Sequence, residues 1–117
     1  MKASTREGYI NASEVTWEVV GEGVRRKILG YDRELMLVRV QFEKGSVGYA
    51  HKHPHRQVTL VESGEFEVQL GTEKRRLRGG DCFFVPPDLE HGVVALEAGV
   101  LVDVFSPARE DFIATPK

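Results

Sequence analysis

Three of the chain's four histidines fall within five residues, and they are the side chains best suited to binding a metal ion. His51 and His53 alternate along one stretch, Gln57 follows, and His91 lies in a separate segment. In an extended strand, alternate side chains share a face and their backbones lie roughly 6.6 Å apart. The two histidines can therefore converge on one ion, and a turn at Pro54 can return the Gln57 amide oxygen to it.

The chemistry of these four donors indicates which ion they would hold. Three nitrogens and one oxygen suit a divalent first-row transition ion with room left for water or substrate, whereas calcium and magnesium prefer mostly oxygen ligands. Because the donors are uncharged, the ion would keep its full charge and attract anions, which favours an acidic substrate. A single histidine on a strand is more often packed or hydrogen-bonded than metal-bound, and that alternative stays open for each residue taken alone.

Alternating apolar and polar residues predict the elements that must position these donors. We predict strands at residues 14–19, 24–29, 35–42, 65–70, 73–78, 82–85, 91–96 and 100–105, besides those carrying the histidines. About ten short strands separated by glycine and proline turns indicate an all-β sandwich or barrel. The only helical signal is Ser106-Pro107 followed by Glu110 and Asp111, which has the form of a cap and first turn of a short helix.

The last predicted strand carries a second group of candidate residues. Leu101, Asp103 and Phe105 share one face, and the valines at positions 100, 102 and 104 share the other. We predict that the valine face is the buried layer, which leaves a carboxylate and an aromatic ring on the other face. Simpler roles stay open, since Asp103 could end a turn, Phe105 could fill the core and Arg109 could pair with a neighbouring surface carboxylate.

Composition limits the broad class of protein. The 117 residues predict one domain, with a flexible N-terminal segment at residues 1–13 and a single domain at 14–117. A net charge of −2 with intermixed signs argues against a nucleic-acid partner, and we interpret the basic runs at 25–27 and 74–76 as faces toward water. The single cysteine, Cys82, lies in an apolar run and is predicted to be a core thiol. Without a signal peptide or an apolar run of membrane-spanning length, we expect a cytoplasmic protein with no membrane partner.

The spacing of the histidine segments resembles the two motifs of the cupin superfamily. Residues 45–64 read glycine, five residues, HxH, three residues, glutamine, six residues and glycine, and residues 80–91 read glycine, five residues, proline, four residues and histidine. The resemblance implies a double-stranded β-helix, or jelly-roll barrel, that holds metal at His51, His53, Gln57 and His91. It also implies a homodimer, expected through the N-terminal strands. It gives no ligand role to His55, which we interpret as a rim or surface residue.

A narrower resemblance covers residues 17–112. The runs VRRKILGYDRELMLVRVQFEKG, HKHPHRQ and HGVVALEAGVLVDVFSPAREDF resemble the KdgF family of pectin-degradation cupins. This implies an enzyme that converts 4,5-unsaturated monouronates, from pectin or alginate, to linear 5-keto-4-deoxyuronate. The metal would be nickel, zinc, manganese, iron or cobalt, with nickel slightly favoured. Asp103 would move protons, Arg109 would pair with the uronate carboxylate and Phe105 would pack on the sugar ring.

Two other functions remain compatible with the same residues. A cupin dioxygenase would use a redox-active ion at the four ligands, and it would consume oxygen. A non-catalytic sugar-acid binding or sensing module would use the metal as an anchor, and a chain without a fused signalling domain would then need a partner protein. The uncharged glutamine mildly favours Lewis-acid chemistry over the redox role, because it leaves more positive charge on the ion.

Overall fold

Antiparallel strands make up most of the computed structural model, which describes residues 5–113. The eight strands are β1 (Glu18–Gly21), β2 (Val24–Tyr31), β3 (Met36–Phe42), β4 (Val47–His51), β5 (Arg56–Leu70), β6 (Glu73–Arg78), β7 (Cys82–Val85) and β8 (His91–Ser106). A 3-10 helix spans Ala12–Glu14 and a short helix, α1, spans Glu110–Ile113. The prediction of an all-β chain with a short C-terminal helical turn is confirmed.

The two longest strands, β5 and β8, pair along nearly their whole length and take part in both halves of the sheet. The order is β1-β2-β3-β8-β5-β6, with β7 added to the first part of β5 and β4 to the first part of β8. The larger of two core clusters receives side chains from both halves, among them Phe42, Phe66 and Leu101. The sheet therefore folds over on itself, as a jelly-roll barrel requires.

A sharp bend divides β5 and β8, and Gly64 makes it possible. The pairing of the two strands shifts register between residues 61 and 66, and Gly64 lies there with φ at +86°. A Cβ atom at this position would come within 2.6 Å of the Ala98 carbonyl oxygen. Only glycine tolerates both the positive φ and this backbone approach. Residues 91–96 and 100–105, predicted as separate strands, therefore form one bent strand, and about ten predicted strands become eight.

The faces of β8 are the reverse of the valine-face prediction. Leu101 and Phe105 are 3% and 2% exposed, whereas the valines at 100, 102 and 104 are only half-buried. β8 runs between β3 and β5, where Leu101 pairs with Val61 of the core. The prediction that the valines form the buried layer was wrong, because apolar character alone cannot tell which face of a strand lies inside. Asp103 shares the inner face with Leu101 and Phe105.

Strand β7 corrects the prediction for the single cysteine. Phe83 and Val85 are buried, while Cys82 and Phe84 alternate to the outer side and are exposed. The expectation of a core thiol was therefore wrong, since the apolar run CFFV faces the core with only every second residue. Val58 of the adjacent strand is also exposed on this outer side, where nothing in the described chain covers it.

The N-terminal part of the chain folds differently from the predicted strand at 14–19. A 3-10 helix ends at Glu14, β1 begins only at Glu18, and the Trp17 ring is held beneath Arg25 at 4.3 Å. Further upstream, Arg6 exchanges two backbone hydrogen bonds with Tyr31. Residues 1–4 and 114–117 lie outside the described residues, and the 1–13 and 14–117 division stays a prediction. Within residues 5–113, no helix has the length and apolarity needed to cross a membrane.

Candidate functional site

Three histidines meet at one end of the barrel. His51 ends β4 and pairs with His91, the first residue of β8, while His53 lies in the loop after β4. One nitrogen from each ring can be chosen so that all three lie within 4.8 Å of one another. The expectation that His51 and His53 share a continuous strand was wrong, because β4 stops before Pro54, yet the loop returns His53 to the same place. These three histidines could hold a metal ion.

Backbone carbonyls orient each imidazole. Nδ1 of His51 lies 2.9 Å from the Tyr49 carbonyl oxygen, and Nδ1 of His91 lies 2.9 Å from that of Leu89. Nδ1 of His53 likewise lies 3.1 Å from the carbonyl oxygen two residues later. A carbonyl only accepts, so each Nδ1 carries the proton and donates it. Each neutral ring then has its lone pair on Nε2, the tautomer that metal-binding histidines with such partners adopt.

Burial keeps two of the rings neutral. It lowers the pKa of His91 to about 4, and it lowers the pKa of His53, with the positive charge of Arg109 adding to the effect. Nε2 of His91 is buried and has no hydrogen-bond partner among the described residues. A buried, unpaired acceptor costs free energy unless something binds it. A cation among the three rings would satisfy it.

Gln57 supplies a fourth atom that fits this interpretation. Its Oε1 lies 3.0 Å from Nε2 of His53, while its Nε2 donates to Thr59. With His53 protonated on Nδ1, as its hydrogen bond to the His55 carbonyl requires, both of these atoms present lone pairs, and a shared cation would stabilise them. The donor set therefore fits a divalent transition metal, although the ligand roles of the four residues stay a prediction.

Asp103 lies beside these donors in a network that the sequence did not reveal. Thr59, which is fully buried on β5, pairs with Asp103 across the sheet and donates a 2.6 Å hydrogen bond to its Oδ1. Gln57 Nε2 lies 3.5 Å from the same oxygen. Removal from bulk water raises the pKa of Asp103 to about 6, despite the opposing effects of the Thr59 hydrogen bond and the Arg109 charge. A carboxyl group with such a pKa can both accept and return a proton near neutral pH.

A cavity of about 290 Å³ joins these groups. Its walls include His51, Gln57, His91, Asp103, Phe105 and Arg109, and thus six of the seven site residues proposed from the sequence. The Arg109 guanidinium, with a side chain only 11% exposed, forms a two-pronged ion pair with Asp111. It also stacks 4.2 Å from the centre of the Phe112 ring. Arg109 therefore forms the ion pair with a neighbouring carboxylate that the sequence left open, and it also borders the cavity.

Arg26, Phe112 and Thr59 were not among the predicted site residues. Arg26 lies 3.8 Å from the Phe112 ring centre and borders the cavity, so two cations flank one aromatic ring. The interpretation of residues 25–27 as a water-facing run was wrong for Arg26. Arg26 lies two residues from each of the buried Val24 and Ile28, so the alternation of a strand places its side chain on their face. Thr59 could have been found because it has the parity of Gln57 on a strand beginning at the metal motif.

His55 lies near the site without completing the metal cluster. Its backbone carbonyl accepts the hydrogen bond from His53, and its ring lies 5.4 Å from the His53 ring. The side chain is half-buried, and its Nδ1 has no hydrogen-bond partner within the described chain. The carbonyl thus positions a candidate ligand, while the ring lies outside the group of three.

Comparison with known proteins places the chain in a family. Residues 38–105 match the cupin domain model. The chain is 46% identical over 107 residues to the pectin degradation protein KdgF of Dickeya dadantii (strain 3937), which covers 90% of this chain and 97% of that protein.

Solved structures agree in fold over nearly the whole chain. An RmlC-like cupin from Shewanella frigidimarina superimposes with a TM-score of 0.90 at 44% identity, over 92% of this chain and 97% of that one. KdgF from Halomonas sp. superimposes with a TM-score of 0.87 at 42% identity, over 91% and 98%. This chain is therefore a cupin and belongs to the family of the pectin degradation protein KdgF.

Proposed function

We propose that this cupin is a metal-dependent isomerase that converts 4,5-unsaturated monouronates, the monomers released when lyases cut pectin or alginate, to linear 5-keto-4-deoxyuronate. One observation carries the proposal: a carboxyl group able to move protons, two guanidinium groups and a cluster of metal-competent histidines border one cavity. A uronate can offer hydroxyl groups to the carboxyl group, its own carboxylate to the guanidinium groups, and oxygen atoms to a metal. The family relationship supports a pectin-related substrate.

The reaction rearranges bonds without adding or removing atoms. Asp103, as a carboxylate, takes the proton of the C1 hydroxyl group while the bond from C1 to the ring oxygen breaks and C1 becomes an aldehyde. The ring oxygen leaves as the oxygen of an enolate at C5, and C4 then gains a proton as C5 becomes a ketone. Asp103 can supply that proton because it now carries one. A bound divalent ion would stabilise negative charge on the substrate oxygens as a Lewis acid.

Arg109 and Phe105 have binding roles in this scheme. Asp111 uses Nε and Nη2 of Arg109, which holds the planar group in place and leaves Nη1 to donate to a uronate carboxylate. Phe105 is 2% exposed and lies 5.8 Å from the His53 ring, so it forms a rigid apolar surface beside the metal cluster. One face of the sugar can pack against that surface.

Removing the Arg109 guanidinium should weaken substrate binding. We expect Arg109→Ala to raise KM for unsaturated galacturonate at least tenfold, because a charged hydrogen bond to the carboxylate is lost. Steady-state kinetics measure this, and Arg33→Ala, at an exposed residue of the β2–β3 turn, is the matched control. Unchanged KM in Arg109→Ala would mean that the carboxylate binds elsewhere, with Arg26 the next residue to test.

Oxygen consumption separates the proposal from a dioxygenase. The isomerisation needs no oxidant, so turnover of unsaturated galacturonate should proceed at the same rate under nitrogen, and an oxygen electrode should record no uptake. A binding or sensing module would retain the sugar unchanged, and product analysis by NMR would reveal that directly.

We also propose that the protein is a homodimer, built on the outer face of the sheet rather than on the N-terminal strands. Paired positions align the side chains of this face in two rows across four strands: Leu37, Val104, Val58 and Phe84 in one, and Arg39, Val102, Leu60 and Cys82 in the other. Exposed apolar patches of roughly 300–600 Å² on a monomer often mark interfaces. A two-fold axis through this face would bury its apolar side chains against those of a second copy.

The charge variant Leu60→Lys tests this surface. Leu60 is 44% exposed at the middle of the face, so we expect a lysine there to convert a dimer to a monomer in sedimentation velocity. Val19→Lys is the matched control, because Val19 is 83% exposed but lies on β1. Dissociation by Val19→Lys alone would instead support the N-terminal strands as the interface.

A further inference from the structure

Thr59 lies where the candidate metal ligand and the candidate proton carrier meet. It is fully buried, and its hydroxyl group makes two hydrogen bonds. It donates to Asp103 Oδ1 at 2.6 Å and accepts from Gln57 Nε2 at 2.8 Å. A threonine hydroxyl has a single proton, so donating it to Asp103 leaves only lone pairs for Gln57. The hydroxyl can therefore bind the NH2 end of the Gln57 amide and not the oxygen end.

The direction of these bonds determines what Gln57 presents to the histidines. An amide that turns its nitrogen toward Thr59 must turn its oxygen the other way, and Oε1 indeed lies 3.0 Å from Nε2 of His53. Only the oxygen end of an amide can ligate a metal, because the nitrogen carries two protons and donates. With Asp103 as a carboxylate, the order Asp103, Thr59, Gln57, metal cluster is thus a chain of hydrogen bonds with one polarity.

We infer that Thr59 is a positioning residue that fixes the Gln57 oxygen as a metal ligand and holds Asp103 in place for proton transfer. The backbone supports both functions, because Thr59 pairs directly with Asp103 between β5 and β8, and Gln57 pairs with Phe105 two residues along each strand. The part concerning proton transfer rests on the proposed function. The part concerning the metal does not.

The same contacts explain why residue 57 is a glutamine. A glutamate there would offer the metal a charged oxygen, but its second oxygen would face the Thr59 hydroxyl group and lie close to Asp103. Both carboxylates would then compete for one hydroxyl proton, and their like charges would repel at about the 3.5 Å that now separates Gln57 Nε2 from Asp103. The amide avoids this conflict because its NH2 group donates. The uncharged ligand is a consequence of having Asp103 two positions away in the network.

Thr59→Val is the most direct test, since valine has nearly the same shape and lacks the hydroxyl group. We expect its affinity for Ni²⁺ or Zn²⁺ alone, measured by calorimetric titration of the metal-stripped protein, to fall 10- to 100-fold, the usual effect of losing a group that orients a ligand. We expect kcat on unsaturated galacturonate to fall at least tenfold with KM little changed, because Asp103 does not bind the carboxylate. Thr59→Ser should restore both, and Thr16→Val, at an exposed threonine, should change neither.

Gln57→Glu tests the same hydrogen-bond chain by changing Gln57 instead of Thr59. It also provides a test if Thr59→Val does not fold. It should bind metal at least as tightly as the wild type yet lose at least tenfold in kcat. Combined with Thr59→Val, it should lose little more kcat than the worse single variant, since both break one contact.

Wild-type metal affinity and kcat in Thr59→Val, or full kcat in Gln57→Glu, would overturn the inference. If wild-type protein binds metal but turns over no uronate, the proposed function fails, and the metal titrations still decide the role of Thr59.

Discussion

Asp103→Asn should abolish turnover of unsaturated uronates while leaving the bound metal in place. Asparagine keeps the shape and can still accept the Thr59 hydrogen bond, so the fold and the Gln57 contact should survive. It cannot take a proton from the C1 hydroxyl group or return one to C4. Loss of a positioned acid and base costs about 10²- to 10⁴-fold each, and one residue here serves both steps, so kcat should fall by at least 10³-fold.

The measurement pairs kinetics with metal analysis on the same preparation. Elemental analysis should find one divalent ion per chain in both wild type and Asp103→Asn, and Glu22→Gln, an exposed acid in the β1–β2 turn, should match the wild type in both assays. If Asp103→Asn retains near-normal kcat, another group moves the protons and the assignment is wrong.

His91→Ala should remove the metal. His91 is 4% exposed and its Nε2 has no partner within residues 5–113, so this nitrogen is the donor most dependent on a cation. Two imidazoles and one amide would remain, and we expect purified His91→Ala to contain less than a tenth of the wild-type metal and to be inactive. Elemental analysis of the purified variant gives the metal content directly.

The matched control is His55→Ala, which removes the one histidine outside the group of three. It should keep its metal because His53 is oriented by the backbone carbonyl of residue 55, which alanine retains. Equal metal content in His91→Ala and wild type would exclude His91 as a ligand.

Metal binding should also stabilise the fold. A ligand present at 100 times its dissociation constant stabilises a protein by about 2.7 kcal/mol, which for a domain of this size corresponds to a melting temperature higher by on the order of 10 °C. Chelation of the wild type should therefore lower Tm by that amount, whereas chelation of His91→Ala should change it little.

The structure brings together the side chains that the sequence grouped, and their roles stay predictions, whereas several strand bounds and one strand face were predicted wrongly. The spacing of His51, His53, Gln57 and His91 is a local pattern tied to family resemblance, and the structure brings these residues together. Strand boundaries depend on tertiary contacts instead. Gly64 reads as a turn, but its close approach to Ala98 lets β5 bend and continue. The residue pattern of one strand does not reveal such a contact with another strand.

The buried face of β8 was also predicted wrongly, for a related reason. Val100, Val102 and Val104 are more uniformly apolar than the face bearing Asp103, so hydrophobicity alone selected the wrong side of β8. The cavity has to hold polar groups, and the outer face of one chain can remain apolar if another copy covers it. Asp103 lies inward against the simple pattern, where it accepts a hydrogen bond from Thr59. The hydrogen bonds of Thr59 could not be predicted from the sequence, because they depend on the pairing of β5 with β8.

The most direct test follows the enol-ether absorbance of unsaturated galacturonate incubated with purified protein, with its metal stripped by chelator, and with the stripped protein reloaded with Ni²⁺ or Zn²⁺. We expect the absorbance to fall with the native protein, to persist with the stripped protein and to fall again after reloading. Loss of absorbance at the same rate in stripped protein, or none in metal-replete protein, would contradict it.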